Sequence, residues 1–111
     1  AKSGLRIPIY GTGENVRDWI YVIDHCRAVE AVLLRGEKGE IYNISAAEEM
    51  SNLDVVKIIL QALGKSEDLI DFVDDRPGHD ARYSLDSTKI RSELHWHSQE
   101  NFADGIAETV A

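Results

Sequence analysis

The clearest periodic stretch is "SNLDVVKIILQALG", residues 51–64, where Leu53, Val56, Ile59, Leu60 and Leu63 recur at three- and four-residue steps and so share one helical face. Ser51 followed by Asp54 resembles a capping box and Gly64 is a stop signal, which predicts a helix over 52–63. "DHCRAVEAVLLRG" predicts a second over 24–35: Asp24 can cap it, Ala28, Val29, Val32 and Leu33 share a face, and Gly36 ends it. Shorter helices are predicted over 87–94, opened by Asp86 or Ser87, and over 101–110, opened by Asn101. Between them "IPIY", "DWIYV", "EIYNI" and "IDFV" read as strands, and "RYSLD" as a short extended piece. Pro8 confines the first strand to an edge, because proline cannot donate to a ladder. The opening "AKSGL" reads as a helix tail stopped at Gly4, with Lys2 near its C-terminal end. With no internal repeat and no low-complexity linker, strands alternating with helices predict a small mixed α/β lobe over 1–111.

Charge narrows the partners. The 111 residues carry 12 Lys plus Arg against 20 Asp plus Glu, a formal charge of -8 that repels a nucleic-acid backbone. Any bound anion must be small and held by a local cluster of cations. Cys26 is the only cysteine, so no internal disulfide forms, and its plain reading is a small core residue. No apolar run reaches the roughly 18 residues of a membrane span and no charged-then-apolar leader opens the chain, so the expectation is a soluble, cytoplasmic protein without membrane partners. Asn43-Ile44-Ser45 matches a glycosylation sequon by chance in that setting.

Candidate chemistry is sparse. "GTGENV" has two glycines of a dinucleotide fingerprint, but Val16 takes the third position and no helix opens there, so it reads as a turn between strands. No tyrosine is followed four residues later by lysine. His95 and His97 flank Trp96 without soft ligands nearby and read as a turn. His25 and Cys26 are adjacent and point about 100° apart on a helix, which disfavours a nucleophile–base pair. There remains "DDRPGHDARY", residues 74–83, where Arg76-Pro77-Gly78-His79 interrupts an acidic run. Pro77 fixes its own φ and Gly78 permits a positive φ, which fits a type II turn with its first and last Cα atoms within about 7 Å. Arg76 and His79 can then converge on one anion, or Arg76 can pair with Asp74, Asp75 or Asp80 on a plain surface turn. Arg17, between a polar turn and an apolar strand, proves nothing by itself.

The stretches "IPIYGTGENVRDWIYVIDHCRAV", "YNIS", "NLDVVKIILQALG", "DRPGHDARYSLDSTKIRSEL" and "FADGIAETV" together resemble the C-terminal part of the dTDP-glucose 4,6-dehydratases, members of the extended short-chain dehydrogenase/reductase superfamily. "VRDWIYVIDH" followed by "DRPGHDARY" is the specific combination, since the first stretch alone also fits nucleotide-sugar epimerases and decarboxylases. The family usually has Gly-Gly where Ser45 and Ala46 stand, Glu at Ile23 and often Gly at His95, departures that bear on the sugar more than on the family.

This resemblance implies a division of labour. An N-terminal Rossmann domain, not part of this chain, binds NAD and carries the catalytic residues, while the C-terminal lobe holds the nucleotide diphosphate of a dTDP-sugar. Pro8 and Tyr10 are then expected beside the nucleobase, and Arg17, Asn52, Arg76 and His79 at the diphosphate or its ribose. Asn52 alone reads equally as a helix cap, or as joining exposed helix N–H groups that face an anion. The implied reaction carries hydride from sugar C4 to NAD, eliminates water across C5 and C6, and returns the hydride at C6. The chain alone is expected to hold no catalytic residue, cofactor or metal and to be inactive. The parent is expected to be a homodimer, and the lobe to self-associate through exposed apolar surface. Two alternatives stay open: the same lobe of another epimerase or decarboxylase, and a non-catalytic binding module.

Overall fold

A computed structural model describes residues 1–111. In chain order it contains β1 (Ile7–Tyr10), β2 (Val16–Asp18), α1 (Val22–Arg35), β3 (Glu49–Ser51), α2 (Asn52–Ala62), β4 (Ile70–Val73), β5 (Arg82–Tyr83), α3 (Thr88–Leu94) and α4 (Phe102–Val110). The mixed α/β alternation and the four helices agree with the sequence pattern. β1 and β4 form a parallel pair, Ile7 opposite Ile70 and Tyr10 opposite Val73. Pro8 thus sits in a two-stranded sheet where each strand is an edge. β2 centres a second sheet, antiparallel to β3 and parallel to β5.

Local signals set the helix ends. Ser51 Oγ accepts the Asp54 N–H at 3.1 Å and donates to the Asp54 carboxylate at 2.6 Å, opening α2. At its other end Gly64, with φ +62°, lets the Lys65 N–H reach the Leu60 carbonyl at 2.8 Å and its own N–H reach Gln61 at 3.0 Å, a Schellman closure. Asn101 caps α4 through the Asp104 N–H at 3.0 Å, and Asp86 supplies the acceptor for Thr88 at the start of α3.

Several expectations change. The "DWIYV" stretch, residues 18–22, is not a strand: the strand lies ahead of it at Val16–Asp18, because Trp19 leaves the sheet to pack edge-to-face on Phe102 and to donate Nε1–H to the Met50 carbonyl at 3.2 Å. Helix α1 therefore begins at Val22, with Tyr21 at its N-cap, and Asp24 is not its cap. Asp24 lies fully buried in the first turn, accepting the Gln99 and Glu100 N–H groups at 2.8 Å each and Arg27 Nη1 at 3.1 Å. Burial pushes its carboxyl up, yet these hydrogen bonds outweigh burial and hold it below the ordinary carboxylate range.

The buried face of α1 is Ala28 and Ala31, packed with Ile90, Leu94 and Trp96, whereas Val29 is 48% and Leu33 82% exposed. Cys26 is exposed and takes no part in the core. "EIYNI" forms no strand, since no neighbouring strand offers it a ladder. The segment is held instead by side chains: Ser45 Oγ donates to Asp18 at 2.7 Å, and Asn43 Nδ2 to the Asp86 carbonyl at 3.2 Å. Only 13 residues are buried, in a slab of 48 × 33 × 17 Å with a radius of gyration of 16.4 Å. A compact domain of this size has about 13 Å, so the core expected of a self-contained domain is thin.

Candidate functional site

The C-terminal ends of β1 and β4 open into two loops, residues 11–15 and 74–81, that run together. The Gly11 N–H bonds the Val73 carbonyl at 2.9 Å, the Val16 N–H bonds Ala81 at 2.8 Å, and Asn15 Nδ2 bonds the Asp80 carbonyl at 3.0 Å. The first loop also meets the start of α2: Gly13 and Asn15 carbonyls accept the Leu53 and Asn52 N–H groups at 2.9 and 3.0 Å. Gly13 makes this approach possible. Its φ is +75°, and a Cβ there would stand 2.7 Å from Ile9 Cγ2 and 3.0 Å from Leu53 Cβ. The glycine turn therefore joins two strands and is packed between strand and helix; it opens no helix that could receive a dinucleotide pyrophosphate.

The second loop contains the predicted turn. The His79 N–H bonds the Arg76 carbonyl at 3.3 Å and Gly78 has φ +71°, as a type II turn requires. Asp75 organises it: one carboxylate oxygen accepts the Arg76 N–H at 2.9 Å and faces His79 Nδ1 at 2.7 Å, and the carboxylate lies against Gly11. The hydrogen bond from His79 holds the Asp75 carboxyl below its ordinary range. The His79 ring stands edge-on to Tyr10, their centroids 6.4 Å apart. The Arg76 guanidinium is exposed and no carboxylate pairs with it, so the surface-turn reading in which a neighbouring Asp neutralises it does not hold.

Arg17, half-buried on β2, donates to the Val16 carbonyl at 2.7 Å and to the Asp80 carbonyl at 3.0 Å, which joins β2 to the end of this loop. Two of its five N–H donors are thereby used. Across β2, Arg82 of β5 grips Glu49 of β3 with two bonds of 2.8 and 2.5 Å, fixing the strand that carries Arg17. Tyr10 and His79 thus touch, Arg17 is bonded to the same loop at Asp80, and Arg76 opens the turn that His79 closes. Pro8 lies two residues back along β1, exposed like Tyr10 while Ile9 between them is buried. Asn52 joins the cluster through its backbone only. The N–H groups of residues 52, 53 and 54 are all bonded within the protein, so the start of α2 offers no free amides to an anion, and the cap is Ser51. Sequence reasoning missed Asn15 and Asp75. An acid four residues before a histidine was visible, but only the folded turn makes the pair.

A family model described as GDP-mannose 4,6 dehydratase matches residues 1–109. A dTDP-glucose 4,6-dehydratase of Streptomyces niveus is 50% identical over 108 residues, covering 97% of this chain and 32% of its own length. The crystal structure of a dTDP-glucose 4,6-dehydratase from Streptomyces venezuelae, with NAD bound, superposes with a TM-score of 0.92 at 46% identity, over 97% of this chain and 34% of that one. A UDP-glucose 4-epimerase from Thermotoga maritima, solved with UDP-glucose, matches with a TM-score of 0.91 at 28% identity, over 98% of this chain and 35% of its own. The chain spans about a third of the length of these relatives. Its fold is that of the C-terminal lobe of extended short-chain dehydrogenase/reductase enzymes. By its sequence the chain belongs to the GDP-mannose 4,6 dehydratase family.

Proposed function

We propose that this chain is the substrate-binding lobe of a dTDP-glucose 4,6-dehydratase, an NAD-dependent lyase that makes a 4-keto-6-deoxy sugar nucleotide. The observation that carries the reading is the cluster of Tyr10, Arg17, Arg76 and His79 on two interlocked loops, with an unpaired guanidinium in a chain of charge -8. Arg17 and Arg76 neutralise and orient the diphosphate, His79 donates to it, Tyr10 and Pro8 border the base, and Asn52 reaches the ribose or diphosphate with a side chain that bonds nothing in the protein. Held remotely, the diphosphate positions the hexose for reaction. NAD and the catalytic groups belong to a Rossmann domain outside this chain. The lobe by itself is accordingly inactive. The open faces of Val29, Leu33, Leu34 and Ile41 are surface that the rest of the enzyme covers. The parent works as a cytoplasmic homodimer in the supply of deoxysugars such as rhamnose.

Titrating dTDP into the whole enzyme tests the site. Arg76→Ala should weaken binding about 10- to 150-fold, the worth of a charge-assisted hydrogen bond, and Arg76→Lys should recover part of it. Lys38→Ala, on an exposed turn after α1, is the charge-matched control. Equal affinity of Arg76→Ala and Lys38→Ala would show that the turn binds nothing. Because a UDP-glucose epimerase shares the fold, titration with UDP-glucose is the second arm, and a preference for UDP-glucose over dTDP-glucose would transfer the lobe to an epimerase.

A further inference from the structure

The Asp75–His79 pair fixes where the imidazole carries its hydrogen. Asp75 is ionised and can only accept, so the nitrogen 2.7 Å from it, Nδ1, must be the donor. A ring with its single hydrogen on Nε2 would instead turn a lone pair onto a carboxylate oxygen. Nε2 bonds nothing in the protein, and the side chain, 4% exposed, is wedged between Asp75 and the Tyr10 ring and cannot swing to exchange its nitrogens freely. A neutral His79 therefore presents a lone pair at Nε2, which repels a phosphate oxygen. Only the imidazolium presents an N–H there.

We infer that a sugar-nucleotide diphosphate binds this turn together with one proton, taken from the solvent and kept on His79, and that Asp75 is the positioning residue that makes this so. The inference rests on the diphosphate reading above. The charged and titratable groups around His79 are Asp75 at its Nδ1, Arg76, Asp74 and Asp80 on its own loop, Tyr10 from β1, and Arg17 from β2, whose guanidinium bonds the Asp80 carbonyl. The start of α2 carries the uncharged Asn52 and the Asp54 carboxylate, the latter held by Ser51, and Lys57 one turn on pairs with Glu67. Asp75 is the one anion in contact with the ring, at Nδ1, and the diphosphate adds a second at Nε2. Proton uptake then lets the site favour a doubly charged diphosphate over neutral or singly charged ligands.

The test is calorimetric titration of the whole enzyme at pH 8, in buffers of different ionisation heat. The ligand is dTDP-4-deoxyglucose, which cannot be oxidised at C4 and whose diphosphate diester does not titrate near neutrality. The expected result at this pH is uptake approaching one proton per ligand. His79→Gln keeps a donor in that place and should bind with no uptake. Asp75→Asn keeps an acceptor for Nδ1 but removes the charge. It should bind about 10-fold more weakly at pH 8 and recover at pH 6, a recovery that a merely structural role would not produce. Uptake near zero in the parent protein, or the same uptake in His79→Gln, overturns the inference. The two failures are distinguishable: if Arg76→Ala binds as well as the parent, the site reading falls. If Arg76→Ala binds weakly but no proton is taken up, only the proton coupling falls.

Discussion

Asp24 is the residue whose removal should cost the fold most for the smallest change. Replacing it by asparagine preserves volume and alters only charge and donor pattern. In the parent, one carboxylate oxygen takes the Gln99 and Glu100 N–H groups and the other takes Arg27 Nη1. An asparagine that turns its carbonyl to the two amides must point its NH₂ at the guanidinium, so that bond is lost and the two others fall from charge-assisted to neutral. At roughly 1 kcal/mol for each such drop, Asp24→Asn should destabilise by about 2–3 kcal/mol. Arg27, which also bonds Gln99 at 3.2 Å, recovers little of it. Asp24→Ala, leaving the Gln99 and Glu100 N–H groups and Arg27 without their acceptor, should cost about 3–5 kcal/mol, a large share of the roughly 5–15 kcal/mol that holds a small domain together. In urea, with a slope of about 1–2 kcal/mol per molar, the Asn variant's midpoint should fall by about 1–3 M. Hydrogen exchange at Gln99 and Glu100 should quicken with it. The pH dependence has a definite sign: the folded carboxyl lies below its unfolded value of 3.8, so its stabilisation is present above that pH and lost as pH falls through the folded value. The gap between parent and variant should therefore close in acid. Asp74→Asn, at an exposed acid without a side-chain bond, is the control. If its midpoint equals that of Asp24→Asn, the staple between α1 and the 99–100 segment contributes nothing.

Gly13→Ala adds left-handed strain and a clash with Ile9 and Leu53, and should cost about 2–4 kcal/mol. Gly78→Ala meets open space and should cost only the strain, about 1–2 kcal/mol; equal thermal shifts would deny the clash. His95 ends α3 at φ +52°, so His95→Gly should stabilise by about 0.5–1 kcal/mol, and a lower melting temperature would refute that account. Binding of dTDP to the whole enzyme should weaken steadily as salt rises from 50 to 500 mM, and insensitivity would argue against a cationic wall.

What the sequence disclosed divides by the range of the interaction. α2 was legible from end to end because its signals are local: a capping Ser51, a helical period and a Gly64 stop all lie within fourteen residues. The type II turn was legible for the same reason, through the φ preferences of Pro77 and Gly78. Asp24 was misread because an aspartate ahead of a helical period usually caps, and nothing local reveals partners 75 and 76 residues away. Arg17 and Asp80, 63 residues apart, are joined through a backbone carbonyl, which leaves no trace in residue identity.

The misread strand at "EIYNI" follows a different logic. Its alternation is real: Tyr42 and Ile44 pack against the small core, while Ile41 before them, 82% exposed, and Asn43 between them lie on the surface. A strand, however, is a property of two segments, since its N–H and C=O groups need a ladder. Here side-chain bonds take that place, from Ser45 to the Asp18 carboxylate and from Asn43 to the Asp86 backbone carbonyl. Val29, Leu33 and Leu34 on α1 repeat the pattern in helical form, apolar residues spaced for burial with nothing of this chain over them. A sequence pattern records every surface a residue is selected to cover, within its own chain or beyond it. The strand and the open helix face are thus one observation: the apolar pattern exceeds what these 111 residues bury, and the excess gathers on α1 and at Ile41.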